Sequence, residues 1–150
     1  MFALRIGRTV FMGAKRKKTI NVPKLYRVIL PVKNIDRAAA FYAKVLGIPG
    51  ERISGGRHYF KCGGTILACY SPKGDGDPVG KGWRFHPNQY VYFSVRNLIA
   101  AYRRVSNAGG KTLGGAATMP WGERMFWARD PFGNPISFVD ERTLFRGSSR

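Results

Sequence analysis

Residues 27–35, RVILPVKNI, set the fold, because residues 90–98, YVYFSVRNL, repeat their pattern 63 places later. The shift aligns these pairs: Val28 with Val91, Leu30 with Phe93, Val32 with Val95, Asn34 with Asn97 and Ile35 with Leu98. Each stretch alternates with a period of two, which predicts a β-strand, and then reaches an asparagine suited to an N-cap. A glycine follows at helix distance in both copies, Gly47 and Gly109, where a left-handed C-cap is favoured.

Helical spacing follows both strands, and short strands with glycine-rich turns follow both helices. The apolar helical positions are Ala38, Phe41, Tyr42 and Val45, then Leu98, Ala101, Tyr102 and Val105. We predict strands near 51–54, 57–62, 65–71, 111–118, 123–129 and 135–139. The chain is therefore predicted to be α+β, with two βαβββ modules that bury their faces together. The predicted divisions are an arm at 1–22, module one at 23–72, a linker at 73–88, module two at 89–142 and a tail at 143–150.

Alternation assigns a face to each first strand. Val28, Leu30, Val32, Val91, Phe93 and Val95 are uniformly apolar and are predicted to lie under the helices. The opposite face carries Arg27, Ile29, Pro31, Tyr90, Tyr92 and Ser94. That mixture of aromatic, basic and small residues is typical of a surface that lines a cavity.

The combination of these segments resembles the vicinal oxygen chelate superfamily, the group of glyoxalases, bleomycin-resistance proteins and extradiol dioxygenases. The likeness runs from about Leu25 to Glu141 and rests on RVILPVKNIDRAAAFYAKVLG, YVYFSVRNL and WGERMFWARDPFGNPISFVD. It implies an open, curled barrel of mixed sheets with the helices outside, a ligand cavity within and, commonly, a homodimer. Within the last segment, Asp130–Asn134 is predicted to be a turn joining the final two strands.

Metal-dependent members of the family hold a divalent ion with His, Gln or Glu on the first and last strands of each module. The resemblance places these positions at Arg27, Leu67, Tyr90 and Ser137, with a slip of one possible at Leu67. Arg27 stays protonated and Leu67 has no donor atom, while Tyr90 and Ser137 are poor ligands. His58 and His86 fall elsewhere and are interpreted as a strand-surface and a loop histidine. We therefore expect no metal and no other cofactor.

A metal-free member is expected to bind a ligand by stacking and polar contacts. The candidate ligand-binding residues are Arg27, Tyr90, Tyr92, Trp121, Arg124, Phe126 and Ser137, with Trp127 as a further aromatic and Trp83 and Arg84 as linker candidates. Because the chain is strongly basic, the expected ligand is a small anionic or aromatic molecule. One alternative is an enzyme (lyase, isomerase or dioxygenase) with an atypical metal site.

The net charge of +18 supports a second alternative, a nucleic-acid-associated protein. Residues 1–27 hold eight basic residues and no acid, so any weak binding to nucleic acid or an anionic surface is assigned to the basic arm. The simpler interpretation of that arm is a solvated tail, and residues 1–20 also faintly resemble an organellar presequence. No apolar run approaches the roughly 20 residues of a membrane span. The expected location is cytoplasmic, with organelle targeting as the alternative.

Cys62 and Cys69 flank a tight turn at Gly63–Gly64. In such a hairpin Cys62 faces Thr65 and Cys69 faces His58, so the two sulfurs are about 13 Å apart along the ladder. That separation is too large for a disulfide, and we predict two free thiols and a reducing compartment.

Overall fold

Each half of the chain folds as a strand, a helix and three further strands, as the repeat predicts. The computed structural model describes residues 22–147; most of the basic arm therefore lies outside the described residues. Module one contains β1 (Arg27–Pro31), α1 (Ile35–Leu46), β2 (Glu51–Ser54), β3 (Arg57–Cys62) and β4 (Thr65–Tyr70). Module two contains β5 (Val91–Val95), α2 (Leu98–Asn107), β6 (Lys111–Thr118), β7 (Arg124–Arg129) and β8 (Pro135–Asp140).

The two sheets have the same topology. Their strand orders are β1-β4-β3-β2 and β5-β8-β7-β6, with the first strand parallel to the last and the remaining pairs antiparallel. Within the described residues the two sheets are separate, so the barrel is not closed. The predicted α+β class and the duplicated βαβββ architecture are confirmed.

The helix caps follow the predicted asparagines. The side-chain oxygen of Asn34 accepts a hydrogen bond from the backbone N–H of Arg37, and Asn97 does the same for Ala100, both at 2.9 Å. Gly47 closes α1 in the left-handed region, at φ 74°. The prediction for α2 is off by one, because its cap is Ala108 in a right-handed conformation and Gly109 turns left-handed one place later.

One hydrophobic core joins the two modules under the helices. Leu30 and Val32 are fully buried there, as alternation predicts, and Phe60, Phe126 and Phe138 pack into the same cluster. The other predicted members are only half-buried: Val28, Val91, Phe93 and Val95. We call the side of each sheet away from the helices its open face.

The Asp130–Asn134 turn links the modules through a buried hydrogen-bond network. The Tyr42 hydroxyl of α1 donates to the Asp130 carboxylate at 2.7 Å, and the Asn134 amide donates to the same carboxylate at 2.9 Å. That amide also donates to the carbonyl of Pro31 at 2.6 Å. Burial raises the pKa of Asp130, while the hydrogen bonds it accepts from Tyr42 and Asn134 oppose that rise. The predicted turn is thus also an inter-module contact.

Hydrogen bonds attach the linker to the strands of module one. Pro72–Asp75 forms a short 3-10 turn, and the Asp75 carboxylate accepts hydrogen bonds from Ser54 and Arg57. Further along, the Trp83 indole donates to the carbonyl of Tyr70 at 3.1 Å. Within residues 22–147, neither helix is long and apolar enough to cross a bilayer.

Candidate functional site

Three aromatic rings meet on the open face of module two. Tyr90 and Trp127 pack edge to face with their ring centroids 4.8 Å apart, and Tyr92 lies 6.0 Å from Trp127 and 6.2 Å from Tyr90. Alternation along β5 places the two tyrosines on one face, and register brings Trp127 to them across β8. Tyr92 is 50% exposed, so the group, which we call the aromatic cluster, offers ring surface to solvent. Burial raises the pKa of the Tyr92 phenol, which therefore stays protonated and able to donate.

Ser137 forms the floor of the aromatic cluster. It pairs with Tyr92 on one side and with Trp127 on the other, and it is fully buried. Its hydroxyl donates to the carbonyl of Phe126 at 3.0 Å. The small side chain leaves room for the rings above it, but its buried hydroxyl is already engaged within the protein.

Arg27 lies on the open face of module one. Its guanidinium donates to the Tyr59 hydroxyl at 3.3 Å and stands 5.0 Å and 5.3 Å from the ring centroids of Tyr26 and Tyr59. Among residues 22–147 no carboxylate forms an ion pair with it. Sequence reasoning missed Tyr59, although its alternation with Arg57 and Lys61 along β3 places it on this face.

Trp121 and Arg124 lie at the start of β7, at the opposite end of the strand from the Asp130–Asn134 turn. Trp121 lies in the loop before β7, where it is 58% exposed and donates to Glu123 at 2.9 Å. The Glu123 charge contributes to the raised pKa of Tyr92, so this loop borders the aromatic cluster. Arg124 begins β7, and its charge helps to lower the pKa of Asp140. It therefore belongs with the chain end and not with the aromatic rings.

Phe126 and Leu67 lie on the helix side of their sheets and not on the open face, where they were predicted. Phe126 is fully buried, stacked on Phe138 at 5.0 Å and edge-on to Tyr102 at 5.1 Å, so it faces the helices and not the aromatic cluster. Leu67 is likewise in the core cluster. Among the open-face residues of β4, its neighbour Ala68 is the counterpart of Ser137, because Ala68 pairs with Ile29 as Ser137 pairs with Tyr92. The slip of one at Leu67 is therefore real.

The family's metal positions do not fit a metal ion. With Ala68 in place of Leu67, the four side chains are a guanidinium, a methyl group, a phenol and a hydroxyl that already donates to a carbonyl. None offers the imidazole or carboxylate donor that divalent ions prefer. No cluster of three His, Cys, Asp or Glu side chains suited to a metal occurs in the described part of the chain. Absence of a cofactor remains a prediction.

The histidines and cysteines lie on the predicted elements. His58 was predicted at the strand surface, but it is only 9% exposed, with Nε2 3.0 Å from the carbonyl of Pro49 and Nδ1 accepting from Arg52. It is buried because Gly50 and the start of β2 lie over it. His86 lies in the linker, as predicted. Cys62 and Cys69 are free and face Thr65 and His58, so the predicted ladder is confirmed.

Two cavities lie beside the candidate site. The larger, which we call the cleft, has a volume of about 700 Å³ and opens between β5 and the Gly63–Gly64 turn; Tyr90 and Tyr92 reach its rim, as do Leu25 and Val28 on either side of Arg27. Most of its wall is on the helix side of the sheets. The second, about 540 Å³, lies under the linker and includes the linker candidates Trp83 and Arg84.

Comparison with known proteins places this architecture. Residues 24–138 match the Glyoxalase/Bleomycin resistance protein/Dioxygenase superfamily. A glyoxalase-related enzyme from Fulvimarina pelagi has a similar structure, with a TM-score of 0.63 and 18% identity, covering 79% of this chain and 88% of that one. A glyoxalase/bleomycin resistance protein from Albidiferax ferrireducens T118 gives 0.63 and 19%, covering 76% and 96%.

A lactoylglutathione lyase from Agrobacterium tumefaciens gives a TM-score of 0.58 and 20% identity, covering 79% of this chain and 93% of that one. At these identities the structural likeness establishes the fold alone. No curated protein matches the sequence. The match over residues 24–138 spans most of the chain and both modules. The chain therefore belongs to the glyoxalase/bleomycin resistance protein/dioxygenase superfamily.

Proposed function

We propose that this protein binds a small anionic aromatic molecule on the open face, without a metal. The observation that carries the proposal is the aromatic cluster of Tyr90, Tyr92 and Trp127, whose rings lie within 6.2 Å of one another beside the open rim. Such rings prefer offset or edge-on contact with a further aromatic group. A planar ligand is therefore favoured over a purely aliphatic one.

Arg27 supplies the proposed contact with the anion. Arg27 and the aromatic cluster both lie on the open faces, and β1 and β5 border one cavity, which is consistent with the guanidinium reaching a ligand on the rings. Glu123 borders the other side of the aromatic cluster. A ligand carboxylate is thus attracted toward Arg27 and repelled from Glu123, which orients the molecule.

We also propose that the protein is a homodimer, as is common for this fold. Ile29, Ile53, Tyr92 and Trp121 are each between 41% and 58% exposed, so these large apolar side chains would gain from burial against a partner. A partner on part of this surface would cover it and leave a rim for the ligand. Sedimentation equilibrium measures the assembly directly.

The test uses 2-naphthoate and its neutral match 2-naphthamide, with binding followed by calorimetry. We expect naphthoate to bind about tenfold more tightly, because only it gains a charge-assisted hydrogen bond. Arg27→Ala should remove that preference. Arg103→Ala, which removes an exposed arginine from α2, is the matched control and should preserve it.

A second variant separates stacking from charge. Tyr92→Ala should weaken both probes, because it removes ring contact worth about 0.5–1.5 kcal/mol. Equal binding of naphthoate and naphthamide by the wild type would refute the anionic ligand. Equal affinities of Arg27→Ala and Arg103→Ala for naphthoate would refute the role of Arg27.

A further inference from the structure

We propose that the cleft beside the Gly63–Gly64 turn is a second binding site, which accepts a small amphipathic anion with an aliphatic body. Most of its wall lies on the helix side of β5, whereas the aromatic cluster lies on the open face, and Tyr90 and Tyr92 stand at the rim between the two sites. The cleft has a volume of about 700 Å³. Small-molecule sites usually fall between about 300 and 1,000 Å³.

The cleft exists because the two modules have turns of different length. In module two the last two strands are joined by five residues, 130–134, which reach across to Pro31 and Tyr42 of module one. In module one the corresponding strands are joined by Gly63–Gly64 alone. The short turn leaves the equivalent space open.

The repeat relates one partner of the long turn to the cleft. Shifting Pro31 by 63 places gives Ser94, which lines the cleft together with Gly63, whereas shifting Tyr42 gives Val105, which is buried in the core. Arg104, the neighbour of Val105, also lines the cleft. The position beside Pro31 that the long turn fills in module two therefore corresponds to the edge of the cleft at Ser94.

The wall of the cleft is mainly aliphatic. The apolar side chains that line it are Leu25, Val28, Val45, Leu46, Ile48, Ile66, Leu67, Val91, Phe93 and Val95. Several of these, including Val28, Val91, Phe93 and Val95, are only half-buried in the protein. An aliphatic ligand would remove this partly exposed surface from water, which is favourable at about 25 cal/mol per Å².

Two cations and no acid occur among the described residues that line the cleft. Arg104 donates from its Nε to the carbonyl of Val45 at 3.0 Å, which holds the guanidinium at the wall. Its terminal N–H groups are further donors that a bound anion could use. Lys61 is exposed on β3 at the same cavity. The charges complement a carboxylate head, and this favours an amphipathic anion over a neutral molecule or an apolar peptide.

Cys62 provides a reporter inside the cleft. It lines the cavity and is half-buried, while Cys69 is fully buried in the core. Burial raises the pKa of the Cys62 thiol, so alkylation with N-ethylmaleimide is measured at mildly alkaline pH. The probes are octanoate and its neutral match octanol. The rate of Cys62 modification at each probe concentration is followed by mass spectrometry.

We expect octanoate to slow the alkylation of Cys62 in a saturable way, with an apparent affinity about tenfold above that of octanol. Lys61→Ala and Arg104→Gln should each reduce that advantage several-fold. Arg103→Ala removes the neighbouring exposed charge of the same helix and should leave it intact. Because Lys61 is exposed, its variant keeps the proposal testable if the Arg104 variant folds poorly.

Three outcomes would overturn the proposal. The first is alkylation of Cys62 that octanoate does not slow, and the second is equal protection by octanol. The third is protection that rises with protein concentration alone and coincides with dimer formation in sedimentation, since a second copy would then cover the cleft. The two proposals fail separately, because naphthoate binding on the open face depends on Arg27, whereas protection of Cys62 depends on Lys61 and Arg104.

Discussion

The turn between the last two strands differs in its role between the modules. In module two, the end residues of the turn, Asp130 and Asn134, are buried and connect their own strands to α1, β1 and the backbone N–H of Phe85 in the linker. In module one, Gly63–Gly64 is exposed, and within residues 22–147 a Cβ added to either glycine would meet no atom beyond its chain neighbours within 4 Å. Two copies of one fold thus place stability at one turn and an accessible cavity at the other.

The comparison shows that the duplicated modules share their topology and helix caps, whereas the length of the last turn determines whether it stabilises the fold or borders a cavity. Both modules keep the same strand order and the same asparagine caps. The buried carboxylate of Asp130 accepts bonds from Tyr42, from the Asn134 amide and from two backbone N–H groups, those of Phe132 and Asn134. The Gly63–Gly64 turn has no side chain that could accept such hydrogen bonds.

Removing Asp130 should have the largest effect. Asp130→Ala leaves several buried donors without an acceptor, and we expect the free energy of unfolding to fall by about 3–5 kcal/mol. Tyr42→Phe removes one donor of the same network and should cost about 1–2 kcal/mol. The matched control is Asp36→Ala, which breaks an exposed ion pair with Arg52 and should cost at most about 1 kcal/mol. Urea denaturation measures the free energy of unfolding of all three variants. If Asp130→Ala were as stable as Asp36→Ala, the role of Asp130 in linking the modules would be contradicted.

The turn of module one should be sensitive only to its backbone. Gly63 has φ 62°, in the left-handed region, so Gly63→Ala should reduce the free energy of unfolding by about 1 kcal/mol. Gly64 lies outside that region and has open space around it, so Gly64→Ala should change stability by less than about 0.5 kcal/mol. Thermal denaturation compares the two. Equal losses would show that the difference in φ does not control this turn.

The smallest expected effect is a pH dependence at the end of module two. Hydrogen bonds from Arg142 lower the pKa of Asp140 to about 2. Because its pKa in the unfolded chain is about 4, this stabilisation is present above pH 4 and is lost as the pH falls toward 2. The side chain of Arg142 is 79% exposed, so solvent screening keeps the effect small.

Asp140→Asn isolates that contribution. The difference in unfolding free energy between the wild type and this variant should shrink between pH 4 and pH 2, as measured by urea titrations. Asp130 acts with the opposite sign, because its raised pKa favours the folded state as the pH falls and disfavours it as the pH rises. A difference that stays constant over this range would contradict the role of Arg142.

The sequence predicted the modules well because a repeat and a cap are local signals. Alternation in β1 and β5 and the asparagines after them define each strand–helix unit without knowledge of the partner. The same local logic located the Asp130–Asn134 turn. It did not reveal the network, because Tyr42 and Pro31 become partners of that turn only after the two modules pack together.

The faces of β7 were harder to predict, and this explains the error at Phe126. Met125, Phe126 and Ala128 are all buried although adjacent positions point to opposite faces, so the strand has no polar side to mark its orientation. Register resolves it, because Trp127 pairs with Ser137 and Phe126 pairs with Phe138. The cleft was also beyond prediction, since it depends on how far two turns reach and not on any motif.

The bond between Asn134 and Pro31 has a consequence for how the chain acquires its structure. Its partners are 103 residues apart in the sequence. During synthesis, β1 and α1 emerge long before the residues that complete their hydrogen bonds. Contacts of such long range slow folding and leave surfaces exposed until the last strand is made. Module one can therefore complete its hydrogen bonds only after module two has been made. We expect the two modules to fold together as one cooperative unit.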